Sequence, residues 1–158
     1  MAVSRGEGLF VFMSTLSDYP ARVQHSTTRP DVEYVLEPGY HARYDARTGE
    51  VEVREKSSKP TAGGEHPVYK LGGGSFAVPT GLVFIRFREG ENAKDRTADI
   101  IRAGYHLADT SEYAPHTAWV RAASGQICDA LRQLAALGAL GGVENVEPQF
   151  VMQRSARP

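Results

Sequence analysis

From Gly81 to Met152 the apolar periodicity of the chain changes in a set order, and that order restricts the fold more than any other feature. Gly81–Glu89, GLVFIRFRE, alternates like a strand: Leu82, Phe84, Arg86 and Arg88 fall on one side, Val83, Ile85 and Phe87 on the other. Asn92–Ala103 sets Ala93, Thr97, Ile100 and Ile101 on one helical stripe, and Gly104 follows as a stop. Tyr105–Asp109 and His116–Ala122 read as strands. Ser124 offers an N-cap to Gly125–Leu137, where Ile127, Ala130, Leu131, Leu134 and Leu137 recur at helical spacing before Gly138. Val143–Val146 and Gln149–Met152 make the last strand, bent at Pro148. The order β-α-β-β-α-β predicts an α+β, ferredoxin-like antiparallel sheet with two helices on one face. Its other face is covered by the N-terminal segment or is a binding surface.

Residues 1–55 read as a β-rich segment. Asp31–Leu36 alternates, and Tyr40–Asp45 with Glu50–Glu55 reads as a hairpin whose loop ends in Gly49. A lone hairpin is marginal in water, so it must pack on something. Leu9–Met13 is a further strand candidate, while Ser14–Pro30 has no clean period and reads as loop. Residues 56–80 are dense in Gly, Pro, Ser and Lys and read as a linker or long loop, with strand attempts at His66–Leu71 and Phe76–Val78. Residues 81–153 then form the second domain and 154–158 a flexible tail.

The 158 residues carry 18 Lys+Arg against 19 Asp+Glu, for a formal net charge of -1. That balance, well mixed along the chain, calls for neither a nucleic-acid nor a membrane partner, since both need a concentrated basic field. Cys128 is the one cysteine, which excludes an intrachain disulfide and reads as a small buried helix residue. The apolar run Leu9–Met13 is too short for the core of an export signal, about 7–15 residues, or for a spanning helix of about 20. A cytoplasmic protein is the expectation.

Catalytic groupings are scarce. His25, His41, His66, His106 and His116 fall in no metal-ligand spacing, so no metal is expected. There is no GxSxG elbow, and Cys128 sits mid-helix, away from the helix N-terminus that would activate it. Gly72-Gly73-Gly74 is followed by no Lys-Ser/Thr and opens no helix, so it does not cradle phosphate. Phe84 and Phe87 with Arg86 and Arg88 are a faint version of an RNA-binding sheet, without the glycine-aromatic motif. Glu144 and Glu147 stand three residues apart on a strand and bend and do not face each other as a catalytic pair. The expectation is a non-enzyme without cofactor.

Three pieces stand in order: VFIRFREG, the Gly-Tyr after the first helix, and TAWVRAASGQICDALRQLAALGALGGVENVEPQF. Together they resemble the propeptide domain of subtilisin-like serine proteases, the inhibitor I9 type, over about residues 79–153. Val143-Glu144-Asn145-Val146-Glu147-Pro148 matches the signature that closes that domain. The resemblance implies a folding chaperone and inhibitor of a subtilisin-like protease, acting in trans or as a leader of a following catalytic domain. It also implies that the open sheet face packs on the enzyme and that the tail lies as a strand in its substrate cleft. The protease-binding residues it implies are Glu144, Glu147, Pro148, Gln149, Phe150, Val151, Met152 and Gln153. Phe150 and Met152 would fill cleft subsites, and the two glutamates would sit near helix N-termini of the protease. Val143 and Val146 read as core, and Phe150 and Met152 also fit ordinary strand residues packed under the two helices. The rival expectation is a non-inhibitory adaptor or dimerisation module.

Overall fold

Phe76–Phe87 forms a single strand of twelve residues, and the rest of the sheet is assembled on it. The structure, a computed structural model, describes residues 16–45, 47–55, 65–72 and 74–152. The strand expected at Leu9–Met13, Gln153 and the tail expected at 154–158 lie outside the described residues. The strands are β1 Arg22–Ser26, β2 Arg29–Asp45, β3 Glu50–Glu55, β4 Glu65–Leu71, β5 Phe76–Phe87, β6 Tyr105–Thr110, β7 Thr117–Ala122 and β8 Val143–Met152. The helices are α1 Thr97–Arg102, α2 Ile127–Arg132 and α3 Leu134–Gly138, with 3-10 turns at Leu16–Asp18 and Ala93–Arg96.

All pairings are antiparallel and belong to one sheet of eight strands, ordered β1-β2-β4-β5-β7-β6, with β3 added to β2 and β8 to β5. β5 pairs with β4 through Phe76 and Ala77, with β7 over Leu82–Arg86, and with β8 from Ala77 to Phe87. The sheet curls until its first and last strands meet. Thr27 N–H donates to the Val146 carbonyl at 3.1 Å, and Val146 N–H donates to the Thr27 hydroxyl at 3.0 Å.

The expected α+β, ferredoxin-like fold with two helices on one face does not form: the described chain is mostly β. Two physical causes account for the difference. First, β5 begins at Phe76 rather than Gly81, and those extra residues give β4 an edge to pair with, so the N-terminal strands join the same sheet. The stretch expected as linker thus supplies β4 and the start of β5, while residues 56–64 and Gly73 lie outside the described residues. Second, the helices are short. The expected helix Gly125–Leu137 breaks at Gln133 (φ -104, ψ 11) into α2 and α3. The Gln133 amide lies against Gly104 (φ +99), where a Cβ would come within 2.5 Å of Gln133 Oε1. The Ser14–Pro30 stretch expected as loop contains β1, because Val23 and Ser26 are buried once β2 pairs beside them.

Alternation along β5 sorts the core. Val83, Ile85 and Phe87 are fully buried with Ile100, Tyr105, Val120, Leu137 and Val146 beneath the helices. Burial of each such side chain contributes about 1.5–3 kcal/mol. A second cluster joins Val23, Tyr34, Tyr69, Ala77 and Leu131, with Ile127, Leu134 and Phe150 packed on it. A third joins Ala42, Val68 and Val78, with Val51, Val53, Phe76 and Val151. Among the described residues no helix is long and apolar enough to cross a membrane.

Candidate functional site

β8 carries most of the residues to which the resemblance assigned protease binding, and the sheet treats them unequally. Glu144 is exposed, its Oε1 3.7 Å from Arg86 Nε. Glu147 is half-buried beside Phe84, its Oε2 3.6 Å from His25 Nε2. Pro148 is buried opposite Val83, where its missing N–H is tolerated at an irregularity of the ladder. That irregularity is a bulge at Thr80-Gly81: the Thr80 hydroxyl donates to Gln149 Oε1 at 2.7 Å and accepts from Leu82 N–H at 3.2 Å.

Phe150 is partly buried and packs on the second core cluster. Its ring stacks on Tyr34, centroids 3.8 Å apart at 13°, and meets Tyr69 edge-on at 5.4 Å. Val151 pairs with Val78 and packs on the third cluster, and Met152, 40% exposed, ends the strand opposite Ala77. Residues 150–152 are therefore paired strand, not a free extension. Gln153 lies outside the described residues.

Around Phe150 the structure gathers side chains for which the sequence offered little signal. His25 Nδ1 is 3.3 Å from Tyr34 Oη while its other ring nitrogen faces Glu147, so β1, β2 and β8 are clasped through one imidazole. Burial pushes the Tyr34 phenol up, and the Glu147 carboxylate adds to that. Tyr69 donates to the Pro20 carbonyl at 2.7 Å, and burial, then Tyr19 and Cys128, push its phenol up. Tyr69 thus serves as a hydrogen-bond donor, and the cluster fastens β8 to β1 and β2. Alternation in DVEYVL placed Tyr34 on an apolar face; no local pattern marks His25 or its distance from Glu147 in the chain.

The second feature beside β8 is the face of β5 and β7 turned away from the helices. Leu82, Phe84 and Trp119 are partly exposed there, Phe84 and Trp119 in edge contact with centroids 5.3 Å apart. Arg86 and Arg121 flank them, opposite Thr117 and Leu82. Phe87, the other aromatic of the faint RNA-binding pattern, points inward and is fully buried beneath the helices. A cleft of about 580 Å³ also opens between Tyr19–Gln24 and the α2–α3 corner. Two cations at its rim are engaged, Arg22 with Glu33 at 2.9 Å and Arg132 with Asp129 at 3.9 Å. Among the described residues no group of three or more His, Cys, Asp and Glu side chains stands close enough to hold a metal.

Chemically the arrangement offers a partly apolar, cation-flanked sheet face beside a strand that leads toward the C-terminus. Such a surface suits protein association, in which aromatic residues and arginine carry most of the energy. Comparison of the chain with family models, with curated proteins and with solved structures gave no match in any of the three.

Proposed function

We propose that this chain is a non-enzymatic protein-binding protein that inhibits, and assists the folding of, a subtilisin-like serine protease. The single observation that carries it is the half-exposed face of Leu82, Phe84 and Trp119 beside a C-terminal strand that bears Glu144 and Glu147 at the surface. Support also comes from the closing signature Val143–Pro148 in the sequence. Drawing Phe150 out of its stack would cost about 1.5–3 kcal/mol of burial and about 0.5–1.5 kcal/mol of ring contact. The cleft contact proposed here therefore starts at Gln153, the residue after the pair of Met152 with Ala77.

A second reading, a non-inhibitory adaptor, is favoured by one observation: Phe150 and Val151 are paired in the sheet and packed on core clusters of this chain. The two are separated by titrating the full chain, and a chain ending at Met152, against a panel of subtilisin-like proteases while following peptide hydrolysis. Substrate-competitive inhibition lost on truncation is the expected result. Absence of inhibition across the panel sinks the protease reading, and binding that survives truncation without inhibition supports the adaptor.

A further inference from the structure

We propose that the cleft between β1 and the α2–α3 corner seats a segment of this chain itself, Leu9–Met13, added antiparallel to the outer edge of β1. β1 ends the strand order and pairs with β2 alone, and an open edge presents unpaired backbone donors and acceptors. The Leu36 N–H donates to the Ala21 carbonyl at 2.9 Å, and two residues further along the register sets Val23 opposite Tyr34. Ala21 and Val23 therefore point their backbone groups at β2. Arg22 and Gln24 point theirs the other way, toward the cleft that both residues line. Outside the ladder, no described residue bonds to the Arg22 or Gln24 N–H. The edge closes only at Thr27, whose N–H donates to Val146.

The cleft suits an apolar, uncharged strand. Val23 and Leu131 are buried in its wall, and Leu134 and Ala135 line it from the helix side. A smaller hollow of about 130 Å³ shares Gln24, Leu134 and Ala135 with it and carries it on to Val146 and Pro148. Arg22 and Arg132 at the rim are paired with Glu33 and Asp129, so neither is left for the carboxylate of a charged peptide.

Leu9–Met13, LFVFM, meets those requirements: its residues are all apolar and include neither glycine nor proline. It belongs to residues 1–15, outside the described residues. Only Ser14 and Thr15 separate it from Leu16, and Ser17, Asp18, Tyr19 and Pro20 line the cleft. The chain from Met13 to Leu16 spans at most about 11 Å, which holds the end of the run near the cleft. A connection as short as Ser14–Ala21 joins antiparallel strands, whereas parallel neighbours need a crossover of about a dozen residues or more. The tether also spares the run most of the lost freedom that a separate peptide or a second copy meets on binding.

Amide hydrogen exchange on the full chain, read residue by residue by NMR, tests the proposal. Protection of about a hundredfold or more is expected at Arg22 and Gln24 as well as at Val23, independent of protein concentration. Val11→Asp with Phe12→Asp, which puts a charge on each side of the segment, should remove it at Arg22 and Gln24 and leave it at Val23. A second readout does not depend on that variant folding. In the unmodified chain, side chains of Leu9–Met13 should show nuclear Overhauser contacts to the methyl groups of Leu134 and Ala135. Free exchange at Arg22 and Gln24 overturns the proposal, and so does the absence of those contacts. Protection that the variant keeps, or that grows with concentration as a second copy would make it, overturns it equally.

Discussion

Phe150 lies flat on Tyr34, ring centroids 3.8 Å apart and planes 13° from parallel, although the two residues stand at opposite ends of the sequence. The contact closes the curl of the sheet, since it joins β2 to β8 over the second core cluster. Phe150→Ala should lower unfolding free energy by about 2–3 kcal/mol, below the about 3–5 kcal/mol of a fully buried phenylalanine because the ring is only partly buried. Met152→Ala, at the exposed end of the same strand, should change it by less than about 0.5 kcal/mol. Urea unfolding of both variants checks the contrast, and equal small effects would remove the stack from the core.

Gly81 holds a positive φ of 94° at the bulge, and a Cβ there would lie 3.2 Å from Ile127 Cγ1. Gly81→Ala should therefore cost about 1–3 kcal/mol, from backbone strain and from pushing α2 off the sheet. Trimming the obstacle with Ile127→Ala separates these two causes. In a double-mutant cycle by chemical unfolding, the coupling between the two sites should be favourable, because the collision is relieved and the backbone strain is not.

Arg96 binds Glu91 and Asp99 at 2.8 Å each and the Gly141 carbonyl at 2.7 Å, with its guanidinium 4.7 Å from the Phe87 ring centroid. It thus ties the first helical turn to the loop before β8. Arg96→Met, which keeps an apolar stem over Phe87, should lower stability by about 1–2 kcal/mol and loosen the Gly141 loop, seen as faster amide exchange.

The same cluster sets an acid limb. The hydrogen bond from Arg96, with the Arg102 charge beside it, holds the Asp99 carboxyl below its ordinary value of 3.8. A carboxyl depressed in the folded state adds stability that is fully present above its unfolded value and is lost as pH falls through the folded one. Stability should thus decline as pH drops below about 3.8, and Arg96→Met should flatten that part of the decline. Thermal unfolding across the acid range, wild type against variant, reads the difference.

Thr27 joins the sheet to itself, accepting Val146 N–H at 3.0 Å and donating to Asn145 Oδ1 at 3.3 Å. Asn145 is buried at 6% exposure, so its oxygen depends on Thr27 and on Thr28 at 3.4 Å. Thr27→Val should cost about 1–2 kcal/mol and raise the exchange rate of the Val146 amide more than that of Ile85, deep in the neighbouring strand. Uniform exchange changes would mean that the seam opens only with the whole molecule.

Local periodicity along this chain was legible wherever one face of an element meets the core. Val83, Ile85 and Phe87 face inward and Leu82, Phe84 and Arg86 outward, as alternation alone requires, because successive side chains of a strand point to opposite faces. The strands at Asp31–Leu36, Tyr40–Asp45 and Glu50–Glu55 were visible for the same reason. What lay beyond the sequence was which edge meets which. Pairing of Phe76 and Ala77 with β4 drew the N-terminal strands into one sheet, and the strand attempts at His66–Leu71 and Phe76–Val78 did not by themselves reveal that pairing. β1 is a strand because β2 pairs with it, and Gln133, where the helix breaks, lies against Gly104, far from it along the chain. The packing of Phe150 against Tyr34 was not legible in the sequence. Alternation within a strand follows from its own side-chain geometry, whereas partners distant along the chain are selected by the hydrogen-bonding edges and apolar surface that remain once the whole sheet has curled.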